Sequence, residues 1–262
     1  SAASDVYKRQ VLNDIITIRV PVDLFGDVNE VSESLTKCGF ELEEMRRRVD
    51  NEQITLKFIE LKVPKRLLNA ENITKLYRGL VALLDNGVTG LENELGFSLS
   101  TNEKDSLNKL VNSIKCLEEK GLDIYWHSML LNTLLAAYVS ERDFDMVLGN
   151  LPWVNISSFP KIYRTRLKSI MDDLNVEPPR EAARKADISI PLFAVSARYL
   201  LNKGGVIALM VPASIFKGLH GASWRNFDAM GLKLLEIWDL EDVKPFEGAD
   251  NQPGIVFALR VR

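Results

Sequence analysis

The chain has 262 residues, of which 46% are hydrophobic and 26% charged, and a formal net charge of −3. Those values fit a folded globular chain and exclude a protein whose whole surface attracts nucleic acid, so any such affinity must be local. Two cysteines, Cys38 and Cys116, and two histidines imply no disulfide framework, no metal knuckle and no histidine-based metal site, as expected in a reducing cytoplasm. No apolar run reaches the length of a membrane span, and no signal peptide is visible.

Ser1 to Gln10 (SAASDVYKRQ) starts without Met and reads as a non-native leader of translated vector or adapter type, set aside from the fold. The chain also stops at Val261-Arg262, directly after a strand-like run, as expected of an internal piece of a longer protein. Ile15 to Leu24 alternates and is rich in β-branched residues, which predicts a strand. Asn29 to Arg48 is charged, with helical spacing at Val31, Leu35, Phe40 and Leu42, and Ile54 to Val63 alternates again up to Pro64. Glu71 to Asp85 has a clear helical period that Asn86-Gly87 and Thr89-Gly90 break. Ser100 or Thr101 caps a further helix to about Glu119, with Gly121 as its stop. No motif appears between Asn29 and Lys120, so about 29–120 reads as a mostly helical insertion whose role is packing. Asp123 to Val139 is an apolar helix expected against the central sheet, with Trp126 and His127 as core and helix-surface residues.

Phe144 to Leu148 reads as a short buried strand, and it ends abruptly in Gly149-Asn150-Leu151-Pro152-Trp153. A buried parallel strand looks like this when its carboxyl end opens onto a ligand crevice. The tetrapeptide Asn150-Leu151-Pro152-Trp153 has the chemistry to hold a planar amine. The Asn150 side-chain oxygen is one acceptor and the Leu151 carbonyl another. Pro152 restricts Leu151 to extended backbone, which aims that carbonyl, and Trp153 offers a flat face on which an extruded base can stack.

Beyond it, Pro160 to Met171 carries Lys161, Arg164, Arg166 and Lys168 without an acid, and Arg180, Arg184 and Lys185 follow Pro178-Pro179. Phosphate contact and an ordinary solvated helix face both fit this stretch, since Asp172 and Asp173 follow at once. Ile188 to Asn202 reads as a helix ended by Gly204-Gly205. Val206 to Val211 is a buried strand closed by Pro212, and Ser214 to Met230 a further helix. Leu234 to Leu240 and Gly254 to Val261 are two more strands, separated by a loop that contains Phe246.

The run FDMVLGNLPW resembles the (Asn/Asp/Ser)-Pro-Pro-aromatic motif of amino-group methyltransferases, above all the adenine-N6 DNA methyltransferases of restriction–modification systems, TaqI class included. The family has Pro where this chain has Leu151. That keeps the carbonyl but frees one φ angle. ADISIPLFAVSARYLLNKGGVIALMVPASIF and LEDVKPFEGADNQPGIVFAL resemble the family's later segments. The resemblance implies a partial Rossmann-like α/β fold, the carboxyl half of a doubly wound sheet ending in a hairpin edge. It implies S-adenosylmethionine as methyl donor and double-stranded DNA as partner, with a restriction endonuclease domain or subunit as a further partner. By position it assigns Phe193 to the donor's adenine, Phe246 to a sandwich of the flipped base against Trp153, and Asp23 or Asp27 to the donor's vicinity. Each of these is equally an ordinary core or loop-capping residue when taken alone. The family's Gly-rich loop has no counterpart among the 15 glycines, so truncation is expected, with residues 11–262 as a partial catalytic domain. Other readings are methylation of an RNA base or a protein glutamine, or a non-catalytic DNA-binding subunit.

Overall fold

The computed structural model describes residues 11–12, 14–22, 28–49, 52–121, 126–243 and 252–261, and the chain divides into two compact units, one on each side of the step from Glu141 to Arg142.

The amino-terminal unit is built on an antiparallel sheet of β1 (Val11–Leu12), β2 (Ile15–Pro21), β3 (Leu42–Val49) and β4 (Glu52–Pro64), in the order β1-β2-β4-β3. Alternation along β2 puts Ile16, Ile18 and Val20 opposite Val63, Leu61 and Ile59, all of them buried. Helices α1 (Val28–Lys37), α2 (Ile73–Leu95), α3 (Thr101–Glu119) and α4 (Trp126–Ser140) belong to the same unit, and Leu35, Leu80, Leu107, Ile114 and Leu134 join this core.

The interval about 29–120 is therefore less helical than its spacing predicts. The helix expected up to Arg48 ends at Lys37, with Gly39 at φ 86, and the chain turns into β3. Leu42, Met45 and Val49 keep helical spacing, but pairing with β4 overrides it. In the opposite direction, α2 runs through both Gly pairs. Gly87 takes φ 69 and ψ −164 and absorbs the kink, while Val88, Leu91 and Leu95 return to the core on the far side. The start of α3 is as expected: the Ser100 hydroxyl accepts from the Glu103 N–H, and the Glu103 carboxylate accepts from the Ser100 N–H.

Two expectations are corrected here. Helix α4, expected against the central sheet, puts Leu134, Ala137 and Tyr138 into the core of the amino-terminal unit, with the Tyr138 hydroxyl donating to the Ala70 carbonyl at 3.1 Å. The side chains of Trp126 and His127 lie outside the described residues. The two cysteines are also not separate thiols, because a disulfide joins Cys38 to Cys116 across 78 residues. The fold brings the turn after α1 against the body of α3, and spacing carries no trace of it.

The carboxyl-terminal unit holds β5 (Phe144–Asn150), α5 (Lys161–Asp173), α6 (Ser189–Tyr199), β6 (Leu201–Pro212), α7 (Ser214–Lys217), β7 (Leu232–Asp239) and β8 (Pro253–Arg260). Its sheet has the order β5-β6-β8-β7. β5 and β6 are parallel, and β8 runs antiparallel to both β6 and β7. One face carries Ile207, Leu209, Val211, Val256 and Ala258 into a core shared with Leu167, Met171, Ile190 and Phe193. On the other face, register aligns Asn150, Met210, Ile255 and Trp238 in one row, with Leu148, Ala208, Phe257 and Glu236 in the next.

That second face is bare at its margins, with Met146 58%, Leu148 66% and Trp238 50% exposed. The expectation of a buried β5 is corrected accordingly. Among the described residues it pairs on one side only, so its outer edge and one face meet solvent. The helix expected over Ser214 to Met230 shrinks to α7, because the chain folds back on itself at the 3-10 turn Leu219–Gly221. A Cβ on Gly221 would lie 2.0 Å from the Ile215 carbonyl oxygen, so only glycine allows that approach.

Candidate active site

Strand β5 delivers Asn150 at its carboxyl end. Alternation from Met146 and Leu148 directs the Asn150 side chain to the bare face, and it is exposed. The Leu151 N–H donates to the Met210 carbonyl at 3.2 Å, extending the β5–β6 ladder by one residue, and the Leu151 side chain packs against the core of the unit. Pro152 is exposed and Trp153 half-buried. The elbow thus has one wall tied to the sheet and its amide free to meet a ligand.

The chain leaving the elbow is fastened at once. The Ile188 N–H donates to the Val154 carbonyl at 2.9 Å and the Ile156 N–H to the Ala186 carbonyl at 2.8 Å, forming an antiparallel bridge between Asn155 and Asp187. Bonds from the flanking residues make Asn155 and Asp187 the narrow kind of antiparallel pair, with side chains close together on one side. The Asn155 amide oxygen accepts from the Ser157 N–H, and Asp187 Oδ1 accepts from the Ser189 N–H, each at 2.8 Å. Burial pushes the Asp187 carboxyl above its ordinary range, while hydrogen bonds from Ser189 and the charge of His220 pull it back. Burial likewise holds the His220 imidazole below its ordinary value, with Asp187 opposing and Arg225 and Lys185 reinforcing. Sequence reasoning passed over both residues. Asp187 had a signal, as an acid two residues before a buried serine at a helix start, whereas His220 had none.

The other predicted residues divide. Lys161 and Arg164 are exposed on α5, and Lys168, on the same side, pairs with Glu177 at 3.4 Å. Arg166, half a helical turn away, is only 8% exposed, among residues that pack inward. Phe193 is 0% exposed, with its ring edge-on to Trp224 at 5.3 Å and to Phe227 at 6.2 Å. As placed it packs the core, and stacking on a ligand ring would need that cluster to open. Asp23, Asp27 and Phe246 lie outside the described residues.

A mixed α/β chain whose parallel strand ends in Asn-X-Pro-aromatic is compatible with a methyltransferase domain. The chain matches the model of the Eco57I restriction-modification methylase family over residues 29–246, and it belongs to that family. No curated protein matches it. Among the described residues no group of His, Cys, Asp and Glu could hold a metal ion, and no helix is long and apolar enough to cross a membrane.

Proposed function

We propose that this chain is catalytic-domain material of a site-specific DNA adenine-N6 methyltransferase of the TaqI-like class, with S-adenosylmethionine as donor. The observation that carries the reading is the exposed Asn150 amide at the carboxyl end of β5, followed directly by Leu151-Pro152-Trp153. The order β5-β6-β8-β7, with its one reversed strand next to the edge, supports a Rossmann-like reading as the carboxyl half of a doubly wound sheet. The unpaired edge of β5 and its bare Met146 and Leu148 support the further reading that strands bearing a Gly-rich loop belong beside it. On this view about 29–120 is an insertion in the catalytic domain.

The described residues do not by themselves fit the donor, because the Phe193 ring is sealed and no glycine-rich cradle stands at a strand end. What the chain's own residues do is hold the acceptor. Adenine rotated out of the duplex stacks on Trp153. The Asn150 side-chain oxygen and the Leu151 carbonyl each accept one hydrogen of the exocyclic amine, which turns the nitrogen lone pair out of the ring plane. Lys161 and Arg164 meet backbone phosphates.

The test is transfer of labelled methyl from S-adenosylmethionine to duplex DNA by the full polypeptide that carries this chain, with the product nucleoside identified by mass spectrometry. N6-methyladenine, reduced about 100- to 1,000-fold by Asn150→Ala, is expected by analogy with loss of one preorganised polar contact. Label in RNA or on glutamine, or DNA binding without any transfer, refutes the proposal; the last outcome would make the chain a DNA-binding subunit.

A further inference from the structure

We propose that Asp187 is a positioning residue for the Asn150–Trp153 elbow, which it holds by fixing the strip of backbone to which the elbow's exit is tied. This inference rests on the methyltransferase reading of the elbow. The bridge between Val154–Ile156 and Ala186–Ile188 begins one residue after Trp153, so the orientation of the indole depends on where residues 186–188 stand. Those residues must leave extended backbone and enter α6 at Ser189 within two positions. The Asp187 carboxylate makes that transition by accepting the Ser189 N–H at 2.8 Å. Ser189 is 0% exposed, so no water can replace the bond. The residue at the N-cap of α6 itself, Ile188, makes no side-chain cap.

Two further polar residues come near the carboxylate. Across the narrow pair Asn155 stands beside it, with its own amide oxygen committed to Ser157. From a separate stretch, His220 lies near enough that its charge would favour the carboxylate and work against burial. The His220 ring is itself wedged against its own turn, since a Cβ on Gly218 would come within 2.3 Å of Cε1. The Arg225 guanidinium holds that turn by donating to the Ile215 and Gly218 carbonyls at 2.7 and 2.8 Å. Residues from three stretches distant in sequence, Asn155, Asp187 and His220, thus come near one another, and none of them is asked to touch substrate.

The test compares Asp187→Ala with Asp187→Asn in the full polypeptide, because the amide of Asn keeps the oxygen that accepts the Ser189 N–H. Two readouts are taken: hydrogen exchange at the Ile156 and Ile188 amides, and kcat and KM for methyl transfer to DNA. Asp187→Ala is expected to speed exchange at both amides about tenfold or more. It should also lower kcat by up to about 100-fold, with KM changed less than about twofold, as misplacement of a reacting group does. Asp187→Asn is expected to restore most of both. Unchanged exchange and kcat in Asp187→Ala overturns the proposal, and so does an Asn variant as poor as the Ala variant. If the unaltered polypeptide transfers no methyl group, the methyltransferase reading has failed, and the exchange data alone decide whether Asp187 holds the loop.

Discussion

The disulfide between Cys38 and Cys116 should be the largest single covalent contribution to the stability of the amino-terminal unit, and it can be removed without altering the sequence. The bond ties the end of α1 to the body of α3 and closes a loop of 78 residues. In the unfolded chain such a closure removes about 15 cal/mol/K of entropy, or about 4.5 kcal/mol at 25 °C. A domain's whole stability is commonly about 5–15 kcal/mol, so the loss is a large share of it. The native contacts barely change, because Cys38 and Cys116 remain packed as thiols. The assay is urea unfolding of the oxidised and the dithiothreitol-treated protein, read by hydrogen exchange in peptides from α3 so that this unit is seen alone. With a slope of about 2 kcal/mol/M the midpoint should fall by about 2 M on reduction. A shift below about 0.5 M would refute the entropic reasoning. Alkylation of both cysteines in protein never exposed to reductant would show that the pair is not bonded at all.

Three more outcomes follow from the carboxyl-terminal unit. Phe193→Ala should destabilise it by about 3–5 kcal/mol, as expected for emptying a sealed aromatic site, with loss of near-ultraviolet ellipticity from the Trp224 cluster. His220 is held below its ordinary 6.5, so between its folded pKa and 6.5 the unfolded chain binds more protons and stability rises with pH, levelling above 6.5. Asp187, raised above its ordinary 3.8, acts in the opposite sense, with stability falling as pH climbs from 3.8 to the folded value. Thermal melts of the unaltered protein and His220→Gln should therefore diverge with rising pH up to 6.5 and then run parallel. Replacing Lys161 and Arg164 together by Ala should weaken DNA binding and cut the salt-dependence slope by about two, whereas Arg166→Ala should lower the melting temperature instead.

How much of this was legible in the sequence follows from how local each signal is. The Ser100 cap, β2, the strand β5 and its elbow, and the two closing strands are local features, and each lies close to its expected place; the Gly204-Gly205 stop does not, since α6 ends at Tyr199 and both glycines lie inside β6. Strand β3 was not legible, because its spacing is helical and only β4 beside it makes it a strand. The disulfide and the Asn155–Asp187 bridge join residues far apart in the chain, so no short window of sequence contains them. Burial of β5 was misjudged for the same reason. An apolar strand implies a partner on both faces, and whether the partner is present is decided elsewhere. Within the basic stretch, charge was legible but direction was not: Lys161, Arg164 and Lys168 share a side of α5, and Arg166 faces the interior.

Register imposes a link between the bare sheet face and the chemistry proposed at Asn150. Side chains on a strand alternate strictly, so whatever solvates Met146 and Leu148 also solvates the amide two residues on. In water, an amide oxygen exchanges one hydrogen bond for another and gains only about 0.5–1.5 kcal/mol. In a water-excluded site, a preorganised polar contact is worth about 2.7–4 kcal/mol to the reaction. The difference, about 2 kcal/mol, corresponds to roughly thirtyfold in rate. On the proposed reading, Asn150 therefore supplies the geometry for gripping an amine on its own, but most of its catalytic worth depends on the exposed strand face beside it being covered. The elbow and the bare face are in this sense one functional element, and an assay of the elbow is informative only in a polypeptide where that face is closed.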